Sequence, residues 1–375
     1  MKYFNQLNKI LSSRQKKAFI YLTLLMLISV FLEVLTLNSI FLLLSFFSDP
    51  SSIENNEIII FLKEIGSTTF TYSDFLVIFF VIFSLKTIFS IFLILKEHTF
   101  INNSRAEISN EFFKGYIYMP RIFHLRTNIS ETTKNITAEV DILIAALLSI
   151  SIITLETLVL IGLVIFLFFI NYKITLLSFF CLLLFSFLLS YLNTKKILSM
   201  GKSRVKLMQI RLKNIIEGLS GAKIFALTGS QEKLVNDFKD TNYKLAKNTI
   251  SIGFRSGIAR PLFELFILLI VIIFSIFFFN ENGAFKKLIP TLGVFLTAAY
   301  RLAPSFGKIL SNIQRFQYNI VAAEKLTIDK ERFASIKDEK TNSSPVSFNQ
   351  EINIDNISYS YNKNLKNEKN FILRN

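Results

Sequence analysis

Long apolar runs, separated by polar segments, fill most of the first 312 residues of this 375-residue chain. The six runs cover residues 18–47, 75–95, 142–170, 174–192, 262–279 and 288–312. About 20 mostly apolar residues in an α-helix cross the roughly 30 Å of hydrocarbon in a bilayer. The pattern therefore predicts an all-α membrane protein with six transmembrane helices. The first run is long enough to tilt or to extend into water.

The charged residues are distributed unevenly around these runs. The net charge of +15 is, by itself, also typical of proteins that bind nucleic acid. Lys and Arg are concentrated before the first run and in two long connections, 96–141 and 193–261, whereas the loop at 48–74 is acid-leaning. This asymmetry follows the positive-inside rule and predicts a multi-pass protein with both termini in the cytoplasm. It favours membrane topology, and no nucleic-acid partner, as the explanation of the charge.

The two basic connections are too long to be structureless loops in a compact protein. They contain few Pro or Gly residues and keep a charged, helical pattern. We therefore expect the neighbouring spans to continue as helices well beyond the membrane and to meet in tight turns. At about 1.5 Å per residue, a 20-residue extension reaches roughly 30 Å into the cytoplasm.

The composition changes after residue 312. Residues 313–341 keep a helical pattern, and residues 341–345 (TNSSP) have the turn chemistry of a linker. Residues 351–361 alternate polar and apolar positions, which predicts a β-strand. The predicted organisation is a cytoplasmic segment 1–17, a transmembrane domain 18–328, a linker 329–347, and the first strands of an incomplete further domain at 348–375.

Three stretches of sequence identify a candidate family. Residues 119–124 (MPRIFH) and 217–229 (EGLSGAKIFALTG) occupy the middle of the two basic connections, and residues 357–361 (ISYSY) lie in the predicted strand. The chain resembles one half of an exporter-type ATP-binding-cassette transporter in these stretches and in its six-span plan. The resemblance implies the type-1 exporter transmembrane fold followed by a nucleotide-binding domain.

The resemblance also implies roles for individual residues. In the family, two cytoplasmic turns dock on the nucleotide-binding domain, and the matching residues here are Pro120, Arg121 and Phe123 in the first turn and Gly221, Ala222 and Lys223 in the second. Tyr361 takes the place of the aromatic residue that stacks on adenine, although it equally fits an ordinary strand aromatic. ATP and Mg²⁺ would be cofactors of the complete transporter.

Within the family, the likeness is closest to bacterial flippases of lipid-linked oligosaccharides. Residues 31–33 (FLE), 171–176 (NYKITL) and 300–305 (YRLAPS) carry it. It implies a homodimer in the bacterial inner membrane that moves an amphipathic anion, such as a polyprenyl-pyrophosphate-linked oligosaccharide, across the bilayer. A peptide, drug or lipid A exporter and a non-transporting membrane scaffold remain alternatives.

Lone basic residues within or at the end of the apolar runs are the candidate substrate-binding residues. These are Lys86, Arg260 and Arg301. A cation at bilayer depth costs about 2.5–3.5 kcal/mol on insertion scales, so it requires a function or a partner. Facing one cavity, the three would offer a pyrophosphate a positive path, and Arg is suited to hold phosphate oxygens in pairs.

The same residues also have structural explanations. Arg260 lies near the cytoplasmic end of its run and can extend its charge to the interface. Glu264 is one helical turn further along and within reach of Arg260. Lys86 can instead pair with an intramembrane acid, for which Glu33, Glu156 and Glu264 are available.

The sequence contains no phosphate-binding loop of the form G-x-x-x-x-G-K-[ST] and no Walker B or signature motif. We therefore expect this chain alone not to bind or hydrolyse ATP. The nucleotide-binding domain would be missing here or supplied by another chain, through truncation, an incomplete sequence or a split transporter. His98 and His124 lack Cys or carboxylate partners at metal-ligand spacing, so no metal site is predicted.

Overall fold

The computed structural model describes residues 2–48, 72–170, 172–279 and 285–340, and within these ranges it is almost entirely helical, without a β-strand. The helices are α1 (Lys2–Ile10), α2 (Ser13–Ser48), α3 (Tyr72–Ile117), α4 (Arg121–Arg126), α5 (Ile129–Lys134), α6 (Val140–Ile170), α7 (Tyr172–Ser220), α8 (Ala222–Thr228), α9 (Gln231–Gly257), α10 (Ala259–Phe279), α11 (Phe285–Asn319) and α12 (Ala322–Lys340). A π-helical segment, Asn135–Glu139, joins α5 to α6.

Three stretches of helix are long and apolar enough to cross a membrane: Ser13–Ile40, Leu76–Ile117 and Ile129–Ile170. A fourth candidate, within α7, bends by 42° between Thr175–Tyr191 and Asn193–Ser220. A stretch of 42 residues is about 63 Å long, twice the thickness of the hydrocarbon. The long helices therefore extend far beyond any bilayer that they enter, as the basic connections predicted.

The long helices pack against one another as antiparallel pairs. Within each pair, residues near the start of one helix contact residues near the end of the other. The contacting residues are Phe19–Phe100 and Glu33–Lys86 for α2 and α3, Glu97–Ser151 and Arg105–Asp141 for α3 and α6, Asn193–Arg255 and Met200–Asn248 for α7 and α9, and Arg260–Gly307 and Phe263–Phe306 for α10 and α11. We refer to the end of the bundle where α3 and α7 finish as the basic end.

Two hydrophobic cores hold the bundle together. The first, at the basic end, combines α1, α2, α3, α6 and the start of α12, and Phe112 and Ile10 are among its fully buried members. The second lies further from the basic end and combines α2, α6, α7, α10 and α11 around Phe263 and Leu163. The helix α11 contributes to both cores, because Phe316 packs against the first and Phe306 belongs to the second.

Local signals in the sequence set the helix ends at the basic end. Ser12 and Gln15 form a reciprocal capping box at the start of α2: the Gln15 amide donates to Ser12 Oγ at 3.2 Å and the Ser12 amide donates to Gln15 Oε1 at 2.9 Å. Helix α8 ends at Gly229, whose φ of 66° is in the left-handed region that favours glycine. Each feature marks the point where one helix gives way to the next.

The all-α prediction is confirmed for the described residues. The apolar runs predicted at 262–279 and 288–312 lie in α10 and α11, and the helical pattern predicted at 313–341 corresponds to the end of α11 and to α12. Helix α12 continues to Lys340, across the boundary predicted at residue 329. The predicted strands and Tyr361 lie outside the described residues.

Glycines in the α7–α9 pair provide a test of this packing. A Cβ added at Gly201 would lie 2.6 Å from the Tyr318 carbonyl oxygen, a backbone atom that side-chain rotation cannot move away. A Cβ at Gly253 would meet nothing within 4 Å. We expect Gly201→Ala to destabilise the protein by about 1–3 kcal/mol. Gly253→Ala should stabilise it by about 0.5–1 kcal/mol, because alanine favours a helix interior.

The measurement is the apparent melting temperature of each purified variant in the same detergent. Equal melting temperatures for the two variants would contradict the described contact between α7 and α11.

Candidate functional site

Lys86 is held in an ion pair between α2 and α3. Its Nζ lies 2.9 Å from Glu33 Oε2, and the two side chains are only 23% and 10% exposed. The ammonium also lies 5.9 Å from the centre of the Phe83 ring, within the range of a cation–π contact. Of the acids that the sequence offered as partners of Lys86, the structure selects Glu33.

Arg260 makes the contact that its spacing predicted. Its Nε lies 2.8 Å from Glu264 Oε1, one turn further along α10, and the side chains are 66% and 49% exposed. The Arg260 backbone packs against Gly307 of α11. Arg260 is therefore an exposed, locally paired residue at the beginning of its helix.

Lys86 and Arg260 lie at different depths in the bundle. The partner of Lys86, Glu33, lies between Val30 and Val34, which pack on Gly162 of α6. Arg260 packs on Gly307 of α11, and the nearby Ser305 donates a hydrogen bond to Glu156 of α6. Gly162 and Glu156 are six residues apart on α6, which corresponds to about 9 Å of helix rise. Among the described contacts, none joins Lys86 to Arg260. Arg301 lies in α11, but its side chain is outside the described residues.

The pairing of Glu156 with Lys308 was not predicted from the sequence. Glu156 is 3% exposed and accepts a hydrogen bond from Ser305 Oγ at 2.7 Å, and its other oxygen lies 2.6 Å from Lys308 Nζ. Glu156 is one of the three acids that the sequence offers to Lys86, but its charged partner in the structure is Lys308. The sequence offered one indication of Lys308: it follows the candidate residue Arg301 by seven positions and so lies on the same face of α11.

The two predicted turns are short helices at the basic end. Pro120 precedes α4, in which Arg121 is exposed, and Phe123 stacks on Tyr116 with ring centroids 6.0 Å apart. Gly221 precedes α8, which begins with Ala222 and Lys223.

Helix α8 exposes apolar side chains at the far tip of the α7–α9 pair. Ile224 is 65% and Leu227 is 80% exposed, and α8 has no buried residue. An exposed apolar cluster at the end of a long helical pair is typical of a docking surface for another domain.

A buried polar cluster ties α12 to the base of the first helical pair. The Tyr116 hydroxyl donates to Asp329 Oδ2 at 2.7 Å, and Asn135 Nδ2 donates to both Tyr116 Oη at 2.9 Å and Asp329 Oδ2 at 3.1 Å. Lys134 and Glu139, both almost fully buried, form an ion pair of 3.5 Å beside it. The π-helical segment thus places its polar residues against α3 and α12, an unusual helical geometry that is often found at functional sites.

A second buried polar contact joins α7 to the end of α11. Arg204 lies 4.9 Å from the centre of the Tyr318 ring and its Nη1 donates to Asn319 Oδ1 at 3.3 Å. Burial raises the pKa of the Tyr318 phenol, while the positive charge of Arg204 acts in the opposite direction. The Arg204 guanidinium lies over the Tyr318 ring within the range of a cation–π contact.

A comparison with known protein families finds no match for this chain. Among the described residues there is no group of three or more His, Cys, Asp or Glu side chains placed to hold a metal ion.

The Lys86–Glu33 pair provides a test of how charge is held in the bundle. Glu33→Gln should destabilise the protein by about 3–5 kcal/mol, because the Lys86 ammonium, which is largely buried, loses its carboxylate partner. The double variant Glu33→Gln/Lys86→Gln should recover most of this loss. Melting temperatures in detergent measure both effects.

The matched control is the exposed pair Lys213–Glu217, whose side chains are 56% and 50% exposed. Glu217→Gln should cost less than about 0.5 kcal/mol. A double variant at Glu33 and Lys86 that is no more stable than Glu33→Gln would argue against a coupled pair.

Proposed function

We propose that this chain is the transmembrane subunit of an ATP-driven exporter of the ATP-binding-cassette type. One observation carries the proposal: the residues that resemble the two docking turns of that family form short helices, α4 and α8, at the ends of long helices that outreach a bilayer. A bundle that only spanned a membrane would have no need of helices about 69–74 Å long, the length of α3 and α7.

In this proposal, six spans cross the bacterial inner membrane, with the basic end in the cytoplasm. The nucleotide-binding domain, in which ATP and Mg²⁺ would be bound, docks against α4 and α8. Large apolar side chains on the outer faces of α3 and α7 are exposed and available to lipid or to a second copy in a homodimer. They include Phe80, Ile88, Ile91 and Leu95 on α3 and Phe180, Phe187 and Tyr191 on α7.

The substrate proposed is an amphipathic anion such as a polyprenyl-pyrophosphate-linked oligosaccharide, with Lys86, Arg260 and Arg301 as its contacts. Lys86 and Arg260 already have carboxylate partners. Each pair is close to neutral overall, so an anion gains from these residues only by displacing the carboxylate. The site therefore favours an anionic substrate only to the extent that the substrate binds the Lys86 ammonium better than the Glu33 carboxylate does.

The same pairing favours a second candidate within the family, an exporter of a peptide or drug. If the pairs do not open, they are structural, and the substrate has no need of negative charge. Glu33 and Lys86 then act only as packing partners of α2 and α3.

Docking at α8 can be tested with paired variants. Ile224→Asp/Leu227→Asp places two charges on the exposed apolar face of α8 and should weaken binding of a nucleotide-binding domain by about tenfold or more. Val235→Asp is the control, because Val235 is 62% exposed on the neighbouring helix α9. The measurement is the affinity of the purified variants for a nucleotide-binding domain of this family. Unchanged binding by the α8 variant would contradict the proposed coupling.

The proposed substrate class can be tested by comparing the binding of a polyprenyl pyrophosphate with that of the polyprenyl alcohol of the same length. Lys86→Ala and Arg301→Ala should lower affinity for the pyrophosphate and leave the alcohol unaffected. Glu33→Gln should raise pyrophosphate affinity, by about fivefold for a gain of about 1 kcal/mol, because it frees the Lys86 charge. If Glu33→Gln and Lys86→Ala change pyrophosphate affinity in the same direction, the pair is structural and the second candidate is favoured.

A further inference from the structure

A polar cleft of about 370 Å³ lies between α7 and α9, towards the basic end. Its lining combines basic, hydroxyl and amide side chains with one Met: Lys196, Ser199, Met200, Ser203, Lys247, Asn248, Ser251 and Arg255. The cleft has no part in the transport function proposed above, and none of its residues belongs to the docking turns.

The three cations of the cleft are not paired with a carboxylate among the residues that the structure describes. No acidic residue lines the cleft, and within the described ranges no carboxylate is ion-paired with Lys196, Lys247 or Arg255. Several basic residues elsewhere in the bundle do have carboxylate partners: Lys9 with Glu331, Arg105 with Asp141, Lys325 with Glu131 and Lys330 with Glu111. The cleft therefore concentrates positive charge without a carboxylate counter-ion from the described part of the chain.

Two polar side chains of the lining, Arg255 and Asn248, are held by contacts between the two helices. Arg255 Nη1 donates to Asn193 Oδ1 at 2.5 Å, which holds the guanidinium at the upper edge of the cleft, the edge nearest the apolar run of α7. Asn248 Nδ2 donates to the Met200 carbonyl at 2.9 Å and ties α9 to α7. A rigid guanidinium with nearby ammonium and hydroxyl donors matches the oxygens of a phosphate group.

The position of the cleft relates it to a membrane surface. The apolar run of α7 ends at residue 192, and Lys196 follows four residues later, about 6 Å further along the helix. The headgroup layer of a bilayer extends about 5–8 Å beyond the hydrocarbon on each side. The upper edge of the cleft therefore lies at headgroup depth when the apolar part of α7 is in the bilayer. Basic pockets between helices at this depth are typical binding sites of anionic lipid headgroups.

We propose that the cleft between α7 and α9 binds the phosphate group of an anionic lipid headgroup. Lys196 and Lys247 supply positive charge from opposite sides, and Arg255 holds phosphate oxygens from the upper edge. The bound lipid would fasten the two helices to each other at the membrane surface.

The test uses the purified full chain in neutral detergent and measures binding of short-chain phosphatidylglycerol, with phosphatidylcholine as the neutral lipid. Lys196→Gln/Lys247→Gln should weaken phosphatidylglycerol binding by roughly 30-fold at low salt, because each lysine near an anionic headgroup contributes about a factor of five. Lys196→Arg/Lys247→Arg, which keeps both charges, should bind within about a factor of two of the unmodified chain.

The matched control is Lys202→Gln/Lys244→Gln. It removes one lysine from each of the same two helices, and neither lysine lines the cleft. Equal weakening by the control and the cleft variant would overturn the proposal, because binding would then follow the total charge of the helices. So would equal binding of phosphatidylglycerol and phosphatidylcholine.

Inorganic phosphate distinguishes the source of the phosphate group. Failure of millimolar phosphate to displace the lipid would support a lipid headgroup as the ligand. Displacement by phosphate, with the same dependence on Lys196 and Lys247, would overturn the lipid assignment in favour of a soluble phosphate compound.

Discussion

Charge buried among apolar helices has to be compensated inside the bundle, and the arrangement of the long helices depends on this constraint. An uncompensated ion in a low-dielectric interior costs several kcal/mol. Lys86 and Glu33 compensate each other where α2 meets α3, and Glu156 is compensated by Ser305 and Lys308 where α6 meets α11. Each contact joins two different helices. These pairs therefore fix which helices are neighbours and at what height, a choice that apolar surfaces alone leave loosely specified.

At the basic end the same constraint is met by hydrogen bonds. Asp329 is almost fully buried and accepts from both Tyr116 and Asn135, while Phe333 packs edge-on against Tyr116 with centroids 5.0 Å apart. Helix α12 is thereby attached to the base of α3 and to the π-helical segment. In the transporter that we propose, this attachment would make α12 follow any movement of the first helical pair, because breaking it would remove both hydrogen bonds to Oδ2 of a buried carboxylate.

Some of the charged contacts of the candidate site could be predicted from the sequence and others could not. The i, i+4 spacing of Arg260 and Glu264 was sufficient to anticipate their contact, because both residues lie on one helix and its geometry is known in advance. For Lys86 the sequence offered three acids, and the choice of Glu33 required the register of α2 against α3. The Glu156–Lys308 pair was missed because Lys308 lies near the end of an apolar run, where a lysine is unremarkable until its partner is known.

The sequence by itself determined the helical class, the positions of the long helices and the two short turns between them, because apolar run length, few Pro and Gly residues and charge distribution act locally along the chain. Only the tertiary structure decided which charges meet. It also decided that Lys86 and Arg260 lie at different heights and that Lys196, Lys247 and Arg255 line one cleft. Such contacts depend on the register and rotation of helices that are separated by tens to hundreds of residues, and a small shift along either helix would exchange one partner for another.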